Sequence, residues 1–344
     1  MSEQFEQRKR DHIRLALDPA TQATGLSGLD RYQLIHEALP DLDFKDISLQ
    51  TKVFGEEVAA PMFVSSMTAG HSDSTQLNLR MARVCEKRNW AMAVGSQRRQ
   101  LEDGAADREW TDIRKQCPNV KFFGNIGLSQ IIGLPVDRVK RLAETLQASA
   151  MIVHLNPLQE CLQPEGTPQF KGGLDAIKKL ARELTVPVIV KETGCGFSKS
   201  TLERLSDSEV RVVDVAGLGG THWGRIEGGR SKANEKLSQA ADTFKNWGVG
   251  TVESLLNAME IGKTYEVWAS GGVRSGLDAA ILLAMGAKMV GFAKPIIEAA
   301  LLSEESLDQK VELLEYELKV ALFCTGSRTV NDLQEKRAWQ EVRT

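Results

Sequence analysis

Eight short, largely apolar runs of β-forming residues alternate along this chain with stretches of 3.6-residue periodicity, and that alternation restricts the fold more than any other feature. The strand candidates are Met62–Ser66, Ala91–Gly95, Lys121–Asn125, Met151–Leu155, Pro187–Lys191, Val210–Val215, Glu266–Ser270 and Lys288–Phe292. Helical patterns fall near 75–88, 106–116, 136–148, 174–184, 200–208, 252–261 and 276–285, each ending near a Pro, Gly or Asn. Strands with few polar residues, separated by amphipathic helices, make a parallel sheet covered on its outside. Eight such units in roughly 240 residues match a (β/α)8 TIM barrel. A doubly wound open sheet is the alternative; it would have to be large, and no strand candidate runs straight into G-x-G-x-x-G.

The remaining segments read as decorations on one domain spanning 1–344. Residues 1–60 form an N-terminal arm, 61–300 the barrel, and 301–344 a C-terminal helix and tail, with the helix pattern at 304–323. A polar, Gly-rich excursion occupies 222–249. The net charge of −3 is spread without a basic block, which argues for neither a nucleic-acid nor an anionic-membrane partner. Cys85, Cys117, Cys161, Cys195 and Cys324 show no metal-ligand or disulfide spacing, which favours a reducing compartment. With a charged N-terminus and no apolar run of membrane-spanning length, the chain is expected to be cytoplasmic.

Polar residues stand where each strand candidate ends. They are Ser66-Met67-Thr68, Ser96-Gln97-Arg98, Asn125, His154-x-Asn156, Lys191-Glu192, Gly219-Gly220-Thr221, Gly271-Gly272-x-Arg274 and Ala293-Lys294. A barrel gathers all eight following loops around one mouth, so these groups are expected to converge. The last two turns carry the strongest local signal. Glycines let a phosphate reach the main chain, a helix N-terminus holds it, and Arg274 and Lys294 can neutralise it. Cys195 within G-C-G invites a nucleophile reading, but no paired histidine motif accompanies it.

Several of these segments together carry a family likeness. Met67-Thr68-Ala69-Gly70, Gly95-Ser96-Gln97-Arg98, Gly124-Asn125-Ile126-Gly127, H-x-N-x-x-Q-E at 154–160 with Gln163-Pro164-Glu165-Gly166, Val190-Lys191-Glu192, and the N-terminal Arg8-Lys9-x-x-His12 resemble type 2 isopentenyl diphosphate isomerase. The likeness runs from about Arg8 to the final helix. It implies an FMN- and Mg²⁺-dependent barrel that interconverts isopentenyl and dimethylallyl diphosphate, with the flavin reduced by NADPH, in a homo-oligomer, a tetramer or octamer. FMN is then expected on Ser66, Met67, Thr68, Ser96, Asn125, Lys191 and Thr221, with its phosphate on Gly271, Gly272, Arg274, Ala293 and Lys294. The arm is expected to lie over the active site. Diphosphate would be bound by Arg8, Lys9, His12, Ser96, Arg98, His154 and Asn156, Mg²⁺ by Glu160, and the hydrocarbon end by Gln159, the catalytic candidate. Lys191 suits the flavin ring, because a cation stabilises its reduced form.

Three positions depart from the family pattern. Ala216 replaces a small polar residue, Ala69 replaces a glycine, and His222 puts an imidazole where it could touch the flavin or an adjacent subunit. Two other functions compete with the isomerase. An FMN-dependent 2-hydroxy-acid oxidase or dehydrogenase would share the phosphate turns but carry a His-Gly-Gly-Arg type segment, which the sequence lacks. A non-catalytic flavin-binding barrel would have no use for an acidic metal ligand beside Gln159.

Overall fold

Parallel pairing of consecutive strands organises the computed structural model, which describes residues 11–67, 72–231, 234–261 and 264–342. Its eight-stranded sheet comprises β1 Met62–Val64, β2 Ala91–Ala93, β3 Lys121–Gly127, β4 Ala150–Leu155, β5 Val188–Glu192, β6 Val212–Asp214, β7 Glu266–Trp268 and β8 Val290–Phe292. Each of β1 to β7 lies beside its chain neighbours, and β8 returns to β1 with Val290 opposite Met62. The β7–β8 seam is closed by a parallel Ala269–Val290 bridge and by N–H donation from Lys288 to Val267 O (2.8 Å) and from Gly291 to Ala269 O (2.8 Å). The sheet is therefore a closed (β/α)8 barrel and not an open doubly wound sheet.

Several strands stop short of their sequence-based limits because their last residues turn toward the mouth. They keep single ladder bonds there, as from Ser65 N–H to Phe292 O (2.8 Å) and from Val215 N–H to Trp268 O (3.1 Å). Alternation of side chains divides the core in two. Phe63, Ala91, Ala93, Phe123, Ile152, Ile189, Val212 and Trp268 fill the barrel interior, whereas Met62, Val64, Met92, Phe122, Val153, Val190 and Val213 belong to the layer shared with the helices.

A β-hairpin that the period-based reading missed, Thr51–Val53 with Glu56–Val58, stops the N-terminal end of the barrel. Its two-residue turn, Phe54 (φ 49°) and Gly55 (φ 85°), uses the left-handed backbone that a tight hairpin turn needs. Val53 and Val58 join the interior cluster, and the Phe54 ring packs 5.7 Å from Trp268 and 5.9 Å from Phe123. Trp268 Nε1 is buried here without a partner among the described residues, a local cost of about 1–3 kcal/mol.

The expected helices lie within a few residues of their predicted limits, as in Ser72–Arg88, Val136–Leu146 and Gly276–Ala284. The terminal helix, Glu304–Cys324, packs against Ser72–Arg88, where Arg88 donates to Asp308 at 2.5 and 2.9 Å and to Glu312 at 2.8 Å. The 222–249 excursion is not an irregular loop but contains the helices Trp223–Arg230 and Glu235–Thr243. Asn234 caps the second of these, accepting the Leu237 N–H. Tyr32–Leu34 pairs antiparallel with Trp339–Glu341, and Gln22 forms an antiparallel bridge with Thr221. The described part of the N-terminal arm is thus stitched both to the C-terminal tail and to the rim of the mouth.

Candidate active site

Loops at the C-terminal ends of all eight strands surround a cavity of about 510 Å³. That size lies within the usual range for small-molecule and cofactor pockets. Of the residues predicted from sequence, His12, Ser66, Met67, Ser96, Arg98, Asn125, His154, Asn156, Gln159, Glu160, Lys191, Thr221, Gly271, Gly272, Arg274, Ala293 and Lys294 all line it. Arg8, Lys9 and Thr68 lie outside the described residues.

The floor is charged. Lys191 at the end of β5 is buried and donates to Asp214 Oδ2 and Ser270 Oγ, both at 2.7 Å. Next to it Glu192 turns away and its Oε2 accepts the N–H groups of Thr193 (2.6 Å), Gly194 (2.7 Å), Gly196 (3.1 Å) and Cys195. Burial pushes the Glu192 carboxyl up to about 7, although those four N–H groups pull the other way. This carboxylate therefore acts as the hub of the loop whose Thr193 and Gly194 line the cavity.

At the β7 and β8 ends the main chain itself forms the wall. Gly271 (φ 99°) and Gly272 (φ 74°) have left-handed backbone, and a Cβ at Gly272 would come within 2.6 Å of Gly219. Only glycine allows three backbone segments to meet this closely. Ser65 Oγ and Ser66 Oγ are buried at the cavity with no partner among the described residues, so both are available to a ligand. Arg274 sits between Asp278 (3.4 Å) and Asp30 (3.3 Å), and Lys294 is 3.7 Å from Glu298. The phosphate-type turn thus carries two cations tethered by carboxylates on the outside.

On the opposite side the short helix Pro157–Leu162 brings Gln159 and Glu160 to the cavity, with Asn156 as its N-cap residue. Asn156 Nδ2 donates to Gln159 Oε1 (2.9 Å) and Glu160 Oε1 (3.1 Å), while Thr167 N–H donates to Glu160 Oε2 (2.5 Å). Asn156 Oδ1 is buried without a partner among the described residues. Gln159 Nε2 donates to Glu227 Oε1 at 3.1 Å, and the same oxygen lies 2.9 Å from His12 Nε2. Burial would raise the Glu227 carboxyl, but the hydrogen bond and charge of His12, together with Arg230 and Gln159, outweigh it and hold the group below the usual carboxylate range. Asn125 Nδ2 donates to Val94 O (3.1 Å), so its Oδ1 faces His154 Nδ1 at 2.8 Å and selects the tautomer protonated there.

The strand-end pattern marks neither Glu227 nor Gln22, Ser65, Asp214 and Ser270. Glu227 sits on the helix Trp223–Arg230 inside the polar, Gly-rich excursion and not at a strand end. His222 is a correction to the expectation of a flavin or subunit contact: it is fully buried and caps the helix Trp223–Arg230. Its Nδ1 accepts the Arg225 N–H (3.2 Å) and its Nε2 lies 3.1 Å from Trp247 O, so burial holds it neutral, with a lowered pKa. Cys195 Sγ lies 3.8 Å from that occupied ring, and burial pushes its thiol far up, which suits no nucleophile. Ala216 lines the cavity with a positive φ of 37°, its N–H held by Asp214.

Known proteins resemble this chain in sequence and in fold. Residues 4–118 and 140–340 match the family model of FMN-dependent dehydrogenases. The chain is 55% identical over 333 residues to isopentenyl-diphosphate delta-isomerase of Legionella pneumophila (strain Paris), covering 97% of each chain. It is 54% identical to the enzyme of that name from Bdellovibrio bacteriovorus (98% of each chain) and 41% identical to that of Pseudescherichia vulneris (97% of this chain, 96% of the relative). Among solved structures, a mutant flavocytochrome b2 with pyruvate bound superposes with a TM-score of 0.71 at 16% identity, over 97% of this chain and 82% of the other. A mutant mandelate oxidase with an FMN adduct superposes with 0.69 at 17% identity, over 99% and 100%. These last two likenesses speak for the fold, whereas the first set speaks for the branch: the chain belongs to the FMN-dependent dehydrogenase family, within it to the isopentenyl-diphosphate delta-isomerases.

Proposed function

We propose that this barrel interconverts isopentenyl and dimethylallyl diphosphate using reduced FMN, with Mg²⁺ holding the diphosphate. The observation that carries the reading is one cavity in which a lysine-floored, glycine-walled flavin site faces a Gln159–Glu160–Asn156 cluster. FMN fits the residues present. The two serine hydroxyls without partners among the described residues and the close glycine turn offer hydrogen bonds and main-chain approach, and Lys191 supplies positive charge. Ser66, Met67, Thr68, Ser96, Asn125, Lys191 and Thr221 would hold the flavin, and Gly271, Gly272, Arg274, Ala293 and Lys294 its phosphate. Bound and reduced, the flavin supplies an acid–base nitrogen, N5, to the alkene.

Mg²⁺ also fits, as an ion that keeps most of its shell from substrate and water. No group of three or more His, Cys, Asp or Glu suited to a metal occurs among the described residues. One carboxylate suffices for Mg²⁺ when diphosphate oxygens and waters complete the octahedron. Glu160 is oriented by Asn156 and Thr167, and each of its oxygens retains a lone pair. Ser96, Arg98, His154 and Asn156 would bind the diphosphate, joined by His12, Arg8 and Lys9 from the arm. Gln159 would orient the hydrocarbon end: its amide is held by Asn156 on one side and Glu227 on the other, and by itself it is too weak an acid to protonate an alkene. NADPH as the reductant, a single domain, a cytoplasmic location and a tetrameric or octameric homo-oligomer belong to the same reading. No described helix is long and apolar enough to cross a membrane.

Purified protein should release FMN, and not FAD, by mass, and should isomerise isopentenyl diphosphate only when reduced and supplied with Mg²⁺. Flavin bleaching by lactate-like 2-hydroxy acids, without isomerisation, would establish the oxidase instead. In Glu160→Gln the flavin should stay bound while Mg²⁺-dependent turnover falls by about a hundredfold or more. An unchanged Mg²⁺ response would remove Glu160 from the metal.

A further inference from the structure

Beneath the cavity stands an acid that neither the strand-end pattern nor the proposed reaction uses. Asp214 ends β6 directly opposite Lys191 of β5 in the strand register. Lys191 and Ser270 reach the cavity wall, whereas Asp214 is 1% exposed and lies behind them. Ser270 Oγ lies 2.8 and 3.1 Å from the two Asp214 oxygens, and Ala216 N–H adds a fourth contact at 3.2 Å. An ammonium has three N–H donors. Two of them are taken by Asp214 and Ser270, each at 2.7 Å, which leaves one for whatever occupies the cavity. The carboxylate also offsets the lysine charge in a site where low polarity strengthens both fields.

We infer that Asp214, braced by Ser270, is a positioning residue that aims the Lys191 ammonium at the bound flavin and limits how strongly the site favours the reduced, negatively charged ring. This rests on the FMN reading above. Asp214→Asn keeps the size and an acceptor for Lys191 but removes the charge, so the lysine field on the cavity is no longer offset.

The test is the flavin midpoint potential, measured at saturating FMN without any diphosphate substrate. Asp214→Asn should raise it, shifting the reduced-to-oxidised ratio by about tenfold or more, which is about 30 mV for a two-electron couple. Lys191→Met should lower it. In a Lys191→Met background, Asp214→Asn should move the potential less than it does in the wild type, because its effect runs through the lysine. Should either single variant not fold, the double variant, which leaves no buried charge unpaired, is compared with the wild type: its potential should lie lower, and one equal to or above the wild type overturns the inference. A wild-type potential in Asp214→Asn, or in Lys191→Met, overturns the inference, as does a double variant whose shift from Lys191→Met equals the full Asp214→Asn effect or is itself a tenfold change in the ratio. Isomerisation with unchanged potentials would sink this inference alone; a protein that binds no flavin would sink the function as well.

Discussion

The two ends of this barrel are built from the same strands and have opposite chemistry. At the N-terminal end, Val53, Phe54, Val58, Phe63, Phe123 and Trp268 pack into an apolar stopper. At the C-terminal end, within a few residues along the same strands, stand Ser65, Asn125, Lys191 and Ser270. One end buries apolar area and contributes stability. The other keeps Ser65 Oγ, Ser66 Oγ and Asn156 Oδ1 buried without partners among the described residues, which costs stability and leaves hydrogen bonds for a ligand. The contrast explains how a barrel can alter its chemistry without losing its fold, since the groups that react and the groups that pack sit in different layers.

The largest effect that would sharpen this contrast comes from the two N-terminal cations proposed to bind the diphosphate. Replacing both Arg8 and Lys9 by Ala should leave folding and FMN content intact yet raise KM for isopentenyl diphosphate by about two to four powers of ten, if each charge-assisted contact contributes roughly 1.5–3 kcal/mol. Steady-state kinetics on reduced, FMN-loaded protein decides this; wild-type constants would make the arm irrelevant to the mouth.

A buried acid at the mouth should give the next largest effect, seen in stability and not in binding. Glu192 has a folded-state pKa of about 7, above its ordinary value of 4.5. Because that carboxyl holds its proton more tightly when folded, it contributes most at low pH, and stability is lost as pH rises through 7. Glu192→Gln should flatten this dependence, removing a difference of the order of 3 kcal/mol between pH 4 and pH 8. Denaturant titrations of both proteins across that range would show it, and parallel curves would mean that the four N–H donors hold the group ionised throughout.

Phe54→Ala addresses the closed end. Its ring packs on Phe123 and Trp268 but is only partly buried, so the loss should be roughly 2–3 kcal/mol, below the range for fully buried phenylalanines. Flavin affinity and KM of the folded fraction should not change. A defect in binding with unaltered Tm would break the separation of the two ends.

Much of the fold was legible because it rests on local signals. Apolar runs of strand length, amphipathic stretches and Gly or Pro stops place β1 to β8 and the main helices to within a few residues, and strand ends mark the mouth. Closure of the barrel then follows from geometry, so Asn125, His154, Lys191 and Gly272 could be expected to converge. The hairpin stopper was missed because three-residue strands carry too little periodicity to read, and the 222–249 helices because their composition is that of a polar loop.

By itself, then, the sequence determined the strand–helix alternation, the glycine turns and the polar residues at strand ends, each of which depends on neighbours a few positions apart. Only the tertiary structure decided which partners those residues meet. Lys191 meets Asp214 on the adjacent strand and Ser270 just past the end of β7, Gln159 meets Glu227 from sixty-eight positions away, and His12 reaches the same carboxylate from 215 positions away. His222 likewise follows Thr221 in sequence but points into a helix cap and not the cavity. The physical reason is that a hydrogen bond between distant residues depends on the barrel's register and closure, which bring such groups together only once the whole chain has packed.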